Sequence, residues 1–173
     1  MRTFVYIIMI IHPIKPLYNS DSRILILGSF PSVKSREECF FYGHKQNRFW
    51  RVVAAVLGVD TPVTVEEKKE MLLSNKIALW DVIASCEIEG SADSTIKNVT
   101  PNDLTPILRE AKIEEIFVNG KTAEKYYNAY IRDTISREAT VLPSTSPANA
   151  AWSVERLISA WQVILKSTER SAK

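Results

Sequence analysis

The chain has 173 residues, which suits one domain with its own hydrophobic core and leaves no room for a second full domain. With 22 Lys and Arg against 20 Asp and Glu, the net charge of +2 excludes a strong overall basic field, so any surface that binds a polyanion must be local. Cys39 and Cys86 cannot supply the four thiolates of an iron–sulfur cluster and form no CxxC pair, so we expect no cofactor, no metal site and no structural disulfide.

The beginning of the chain is apolar. Arg2 precedes a run at residues 4–11 that resembles a signal-peptide core, but the run is short and is followed by His12 and Pro13 instead of small residues. We interpret residues 1–11 as an N-terminal extension, either an edge strand or sequence outside the working domain, and residues 12–173 as one domain. No later stretch reaches the ~20 apolar residues of a membrane span, so we expect a cytoplasmic protein with no membrane partner.

Four short apolar segments are typical of strands. Residues 23–27 end at Gly28 and have the composition of a strand buried on both faces of a parallel sheet. Residues 77–83, 113–118 and 139–142 are similar, and each follows a stretch with helical character.

Apolar residues at helical spacing predict the helices between these strands. The clearest are residues 47–57, which end at Gly58, and residues 154–165, whose single apolar stripe is typical of a helix packed on a core. We interpret Trp152 and Trp161 as packing residues of this last helix.

Two further helices are predicted by their first residues. Thr64 with Glu67, and Thr100 with Asp103, have the spacing of capping boxes, and Pro101 fits the first turn of the second. Strand and helix therefore alternate four times. This order predicts an α/β fold, a three-layer α/β/α sandwich around a mainly four-stranded parallel sheet.

Ligands of such sheets bind beyond the carboxyl ends of the strands. Three polar segments follow predicted strands or begin helices there. The segments are Gly28-Ser29-Phe30-Pro31-Ser32, Gly43-His44-Lys45-Gln46-Asn47-Arg48-Phe49-Trp50 and Leu142-Pro143-Ser144-Thr145-Ser146-Pro147-Ala148-Asn149. Each also has a purely structural interpretation: the first is a turn, Asn47 caps a helix, and Ser146 caps the last helix with Pro147 in its first turn. The N–H groups of such a helix start would attract a phosphate.

Together and in this order, the three segments resemble the uracil-DNA glycosylase superfamily, and most closely its hypoxanthine-DNA glycosylase branch, over residues 12–161. The second segment also resembles the HPANRFW stretch of mismatch-specific uracil glycosylases. The resemblance implies a monofunctional DNA glycosylase of base excision repair. Such an enzyme hydrolyses the N-glycosidic bond of a deaminated base that is flipped out of double-stranded DNA.

The resemblance also implies an unusual division of roles. Phe30 stands where uracil-specific relatives carry the Asp or Asn that positions water, and Ser144 stands where they carry His or Asn. Asn47 then becomes the catalytic residue, and Phe30 becomes a stacking surface for the extruded base. A neutral carboxamide suits this role if it holds a water through its oxygen and donates a hydrogen bond from its nitrogen.

For the base itself we predict a site formed by Gly28, Ser29, Phe30, Tyr42, Asp81, Asn119 and Ser144. Hypoxanthine offers an N1–H donor and an O6 acceptor, the reverse of adenine. Asp81 as an acceptor, with Ser29 or Asn119 as donors, would distinguish the two bases. Uracil has a similar edge, so the preference for hypoxanthine comes from the resemblance only.

For the DNA backbone we predict contacts from Ser32, Lys45, Arg48, Ser146, Pro147 and Asn149. Lys34, Lys97 and Lys121 lie near loops at the same end of the sheet, and they either add to this face or are solvated surface charges. We expect a monomer. Two other functions stay open: excision of uracil from mismatches, and a non-catalytic module that binds DNA or a free purine.

Overall fold

The computed structural model describes residues 8–170, with side chains described up to residue 166. The strands are β1 (Met9–Ile11), β2 (Ile24–Gly28), β3 (Ile77–Asp81), β4 (Ile83–Glu87), β5 (Lys97–Pro101), β6 (Glu115–Asn119) and β7 (Thr140–Leu142). The helices are α1 (Val33–Glu38), α2 (Phe49–Leu57), α3 (Val65–Ser74), α4 (Thr105–Glu110), α5 (Lys121–Tyr130), α6 (Arg132–Ile135), α7 (Val154–Trp161) and α8 (Val163–Arg170).

The predicted parallel sheet is confirmed. Four strands lie in the order β3-β2-β6-β7, and every neighbouring pair is parallel. All residues of β2 are buried, because this central strand is covered on both faces.

Alternate residues of β2 belong to two separate cores. Ile24 and Ile26 pack with the aromatic side chains of α2 and α7, whereas Leu25 and Leu27 pack with residues of α4 and α5. Helices therefore cover both faces of the sheet. This arrangement confirms the three-layer α/β/α fold.

A second sheet was missed by the sequence analysis. Strands β1, β4 and β5 form an antiparallel sheet with β4 in the centre. The segment at residues 77–83, predicted as one strand, is two: β3 ends at Asp81, and β4 leaves the parallel sheet after Val82. Val82 itself donates from its backbone N–H to the carbonyl of Gly28.

The helix start predicted at Thr100 is wrong. Thr100 and Pro101 belong to β5, where Thr100 pairs with Ser85 and Pro101 with Ile83. Helix α4 begins at Thr105 instead, and Asp103 accepts a hydrogen bond from the backbone N–H of that residue. Pairing with β4 thus prevails over a local capping signal, which placed the helix start four residues too early.

The other predicted helices are confirmed with changed ends. Thr64 and Glu67 form a complete capping box on α3, and Gly58 ends α2 in the left-handed conformation. The last predicted helix is two helices that meet at Gln162.

The N-terminal extension lies partly outside the described residues. Its last three residues form β1, which pairs with β4 at one edge of the antiparallel sheet. None of the helices within residues 8–170 is long and apolar enough to cross a membrane.

Candidate active site

A cleft of about 1050 Å³ opens at the carboxyl ends of the parallel strands. Its volume is at the upper end of the range for small-molecule sites, so a flipped nucleotide fits. The predicted residues that line it are Ser29, Phe30, Ser32, Tyr42, Asn47, Asp81, Asn119, Ser144, Ser146, Pro147 and Asn149. Three predicted residues, Gly28, Lys45 and Arg48, do not line the cleft.

A chain of hydrogen bonds joins three segments of the cleft. Asn119, at the end of β6, donates from Nδ2 to the Tyr42 hydroxyl at 3.1 Å and to Thr145 Oγ1 at 3.0 Å. Its Oδ1 accepts the backbone N–H of Thr145 at 3.1 Å. Thr145 in turn donates from Oγ1 to Asn47 Oδ1 at 2.9 Å. Asn119 therefore fixes the cleft, and its amide N–H groups are not free to read a base.

Asn47 is oriented by two donors. Its Oδ1 accepts the backbone N–H of Phe49 at 3.0 Å as well as the Thr145 hydroxyl. A carbonyl oxygen has two lone pairs, so these bonds occupy it, whereas Nδ2 has no hydrogen-bond partner among the described residues. The expectation that the Asn47 oxygen holds a water is therefore wrong for this geometry. What Asn47 offers the cleft is its N–H groups.

Asp81 ends β3 and is buried against His12. The His12 Nε2 lies 2.7 Å from Asp81 Oδ2, and the two side chains are only 2% and 6% exposed. The sequence analysis named His12 only as the residue after the N-terminal apolar run and missed this contact. No group of His, Cys, Asp and Glu side chains within the described part of the chain has a metal-binding arrangement.

Gly28 stands where two polar groups converge behind the cleft. A Cβ at this position would lie 2.4 Å from Asp81 Oδ1 and 2.9 Å from the Tyr42 hydroxyl. Neither distance is possible for a real side chain, so the close approach of these groups to β2 requires glycine.

Ser29 contacts a second carboxylate, which the sequence analysis missed. It donates from Oγ to Asp93 Oδ2 at 3.0 Å, and Asp93 also lines the cleft. Burial raises the pKa of the Asp93 carboxyl, and hydrogen bonds from Ser29 and Thr122 oppose that rise. Since the Ser29 proton points at Asp93, Ser29 meets a ligand as an acceptor and not as the predicted donor.

Two aromatic rings at the cleft are held by neighbours. The ring of Tyr42 stacks on Phe49 with centroids 4.1 Å apart, and the guanidinium of Arg36 lies 5.6 Å from the centroid of Phe30. Burial, followed by the nearby charge of Asp81, raises the pKa of Tyr42 well above its usual range, so the hydroxyl keeps its proton.

Arg48 has a structural role in place of the predicted DNA contact. Its guanidinium donates to the backbone carbonyls of Thr145, Ser146, Asn149 and Trp152. These bonds fix the loop between β7 and α7. An arginine whose donors are used in this way does not present them to a phosphate.

The predicted helix start at Ser146 is also wrong. Helix α7 begins at Val154, and Ser153 is its cap, with a side chain that accepts the N–H of Arg156. Ser146 instead accepts the backbone N–H of Ala148 within a turn, and Asn149 donates to the Ser144 carbonyl. The loop is thus folded by its own polar groups, so no helix dipole points at the cleft from Ser146.

A second, smaller groove of about 500 Å³ adjoins the cleft and shares Tyr42, His44 and Asn47 with it. Its cationic lining residues are Lys45, Arg51 and Lys68. Among the described residues, none of the three forms a salt bridge. Lys68 lies 5.2 Å from the ring centroid of Trp50, and burial lowers its pKa. By contrast, Lys34 is paired with Glu38 on α1.

Comparison with known proteins agrees with this geometry. Residues 15–165 match a sequence model of the uracil DNA glycosylase superfamily. A hypoxanthine DNA glycosylase from Methanosarcina acetivorans is 36% identical over 150 residues, which cover 86% of this chain and 93% of the relative. One from Methanosarcina barkeri is 34% identical over 137 residues, 78% of this chain and 85% of the relative.

A solved structure is also similar. The solution NMR structure of a protein from Methanosarcina acetivorans, named as a uracil DNA glycosylase, superposes with a TM-score of 0.79 at 32% identity. The match covers 94% of this chain and 99% of that chain. The chain therefore belongs to the uracil DNA glycosylase superfamily, and it is a DNA glycosylase.

Proposed function

We propose that this glycosylase removes hypoxanthine, the deaminated form of adenine, from double-stranded DNA. The observation that carries the proposal is the cleft itself, which is lined by a stacking ring, a buried carboxylate and an amide N–H that bonds to none of the described residues. Two relatives, which cover 86% and 78% of the chain, are named hypoxanthine DNA glycosylases.

In this proposal the flipped base lies against Phe30 and is read at its edge. Asp81 accepts the N1–H of hypoxanthine, and the Tyr42 hydroxyl donates to O6. Tyr42 replaces Asn119 and Ser29 as the proposed donor, because their protons are already used within the protein. Base stacking on an aromatic ring contributes about 1–3 kcal/mol, which offsets much of the cost of unstacking.

Bond cleavage leaves positive charge on the sugar and negative charge on the departing base. The Asn47 Nδ2 group donates to that negative charge, and its position is fixed because Phe49 and Thr145 hold the other end of the amide. The sugar is already electron-poor, so the attacking water needs correct orientation more than it needs a strong base.

The DNA backbone runs from the loop at residues 144–149 across the mouth of the cleft into the basic groove. Among the described residues, no carboxylate lines the groove beside Lys45 and Arg51, which suits them to phosphates. Lys68 lies beside them, and the charge of Glu38 opposes the lowering of its pKa by burial. Ser32, Ser146, Pro147 and Asn149 stay in the proposal as uncharged contacts on the other side. The enzyme acts as a monomer on this path, and its cytoplasmic location stays a prediction.

Uracil is the second candidate, since the solved relative is named as a uracil DNA glycosylase and the uracil N3–H and O4 match the same two side chains. The test incubates the protein with duplexes that carry hypoxanthine, xanthine, uracil or ethenocytosine and then cleaves abasic sites with alkali. Fastest cleavage at hypoxanthine is the expected result. Fastest cleavage at uracil would replace the substrate, and no cleavage of any duplex would support a binding module.

A further inference from the structure

We propose that His12 is a positioning residue for base recognition, which holds Asp81 as an acceptor with one oxygen left for the base. The proposal rests on the proposed function, because it concerns how the same cleft reads its ligand. His12 lies outside the three segments that carry the family resemblance, and it directly follows β1.

Strand pairing brings His12 to the site. It follows β1 directly, and its backbone N–H donates to the carbonyl of Ala84 on β4 at 2.8 Å. This bond extends the β1–β4 ladder to the point where β3 has just ended at Asp81. The two side chains, 69 residues apart in sequence, thereby meet in the interior.

The hydrogen bonds define the state of the imidazole. A backbone N–H is always a donor, and that of Ile14 lies 3.1 Å from His12 Nδ1, so Nδ1 carries no proton. Nε2 therefore carries the proton of the neutral ring and donates it to Asp81 Oδ2 at 2.7 Å. Trp80 fixes the same turn, because its indole N–H donates to the carbonyl of Ile14 at 3.0 Å.

The same contacts determine what Asp81 presents to the cleft. Its Oδ2 is occupied by His12, and its backbone carbonyl accepts Asn102 Nδ2 at 2.9 Å. Its Oδ1 lies beside Gly28 and accepts no hydrogen bond from the described residues. One carboxylate oxygen is thus bound by the protein, and the other is left as an acceptor in a residue that lines the cleft.

This arrangement selects bases by the direction of one hydrogen bond. Hypoxanthine and uracil carry an N–H at the edge they present, whereas adenine carries a lone pair at N1, which a carboxylate oxygen repels. A carboxylate that is not held in this way would rotate, and its free oxygen would leave the position from which it accepts a hydrogen bond from the base. His12 also packs edge-on against Phe30, with centroids 5.9 Å apart, so one side chain sets both the acceptor and the stacking ring.

The test compares His12→Phe with His12→Gln. Phe keeps the aromatic packing but removes the donor, and single-turnover excision should fall about ten- to hundred-fold, the range for losing a hydrogen bond to a charged group. Gln can again donate to Asp81 Oδ2, so it should restore a large part of the rate. Ile10→Ala is the matched control, since it weakens packing of β1 and leaves the imidazole in place.

A double-mutant cycle separates positioning from stability. If His12 acts through Asp81, adding His12→Phe to Asp81→Asn should cost little beyond Asp81→Asn alone. Additive losses, or an unchanged rate in His12→Phe at full folding, would overturn the proposal. The cycle is measured on whichever base the wild-type protein excises fastest. If that base is not hypoxanthine, the proposed substrate is wrong, but the coupling between His12 and Asp81 is still tested.

Discussion

Thr145 donates a hydrogen bond to the amide oxygen of Asn47 at 2.9 Å, although the two residues are 98 positions apart in the chain. The bond joins the segment before α2 to the loop after β7. Since Asn119 in turn holds Thr145, the orientation of the proposed catalytic amide depends on the ends of two strands of the sheet.

The first prediction concerns the N–H groups of Asn47, which have no partner in the part of the chain that the structure describes. Asn47→Ala should lower single-turnover excision by about a hundred-fold or more, the usual cost of one oriented donor, while DNA affinity changes little. Asn47→Asp keeps the oxygen bonded to Phe49 and Thr145 but loses the N–H, so it should be as inactive as the alanine variant. Wild-type activity in Asn47→Asp would instead support an oxygen that holds water.

The second prediction concerns Gly28. Gly28→Ala should abolish most excision, because the new methyl group must displace Asp81 Oδ1 and the Tyr42 hydroxyl. The backbone of Gly28 is ordinary strand, so we expect the fold to persist with a loss of about 1–3 kcal/mol in unfolding free energy. Urea unfolding and single-turnover kinetics on the same preparation give both quantities. An active Gly28→Ala enzyme would contradict the close approach.

The third prediction concerns Arg48 as a structural residue. Arg48→Ala leaves four backbone carbonyls without their charged donor, and the free energy of unfolding should fall by about 2–4 kcal/mol. Excision should fall as well, since the loop that carries Thr145 loses its support. The salt dependence of DNA binding should keep its wild-type slope. A reduced slope would return Arg48 to the DNA-contacting residues.

The fourth prediction concerns the basic groove. Lys45→Ala and Arg51→Ala should each lower the slope of log affinity against log salt by about 0.7–0.9, with little effect on unfolding. Lys112→Ala is the matched control. Lys112 is exposed and precedes β6, so it lies near the amino ends of the parallel strands, whereas the cleft is at their carboxyl ends. Equal slopes in the groove variants and the control would remove the groove from the DNA path.

The fifth prediction follows from the raised pKa of Asp93. The folded protein binds the proton of the Asp93 carboxyl more tightly than the unfolded chain does. The free energy of unfolding therefore falls as pH rises from the ordinary pKa of 3.8 through the raised pKa of the folded protein. Asp93→Asn should therefore be more stable than wild type at neutral pH, and the difference should vanish below the ordinary value. Urea unfolding over a pH series measures this. A variant that is less stable at every pH would contradict it.

The parallel sheet was predictable because each of its strands is a compact apolar run. The antiparallel sheet was not, since only Val82 separates β3 from β4, and β5 contains Thr100 and Pro101, which also fit a helix start. Local sequence cannot show that a segment changes sheets, because strand pairing is decided by distant residues.

The composition of the cleft was also predictable, since the ends of parallel strands meet at one edge. The hydrogen-bond directions were not. Asn119 and Ser29 have suitable donors, but Thr145 and Asp93 use them, and neither partner had a sequence signal strong enough to reveal this. Arg48 was misinterpreted for a similar reason, because an arginine beside a polar loop has the same sequence signature whether it binds carbonyls or phosphates.

The polar network from Tyr42 through Asn119 and Thr145 to Asn47 consists of bonds between protein groups alone. The enzyme is thus preorganised, and it spends little conformational entropy when a lesion arrives. The choice between damaged and normal bases then depends more on the duplex, because a weakly stacked or mispaired base leaves the helix more often. The sequence around the lesion should therefore affect turnover more than any rearrangement of the protein does.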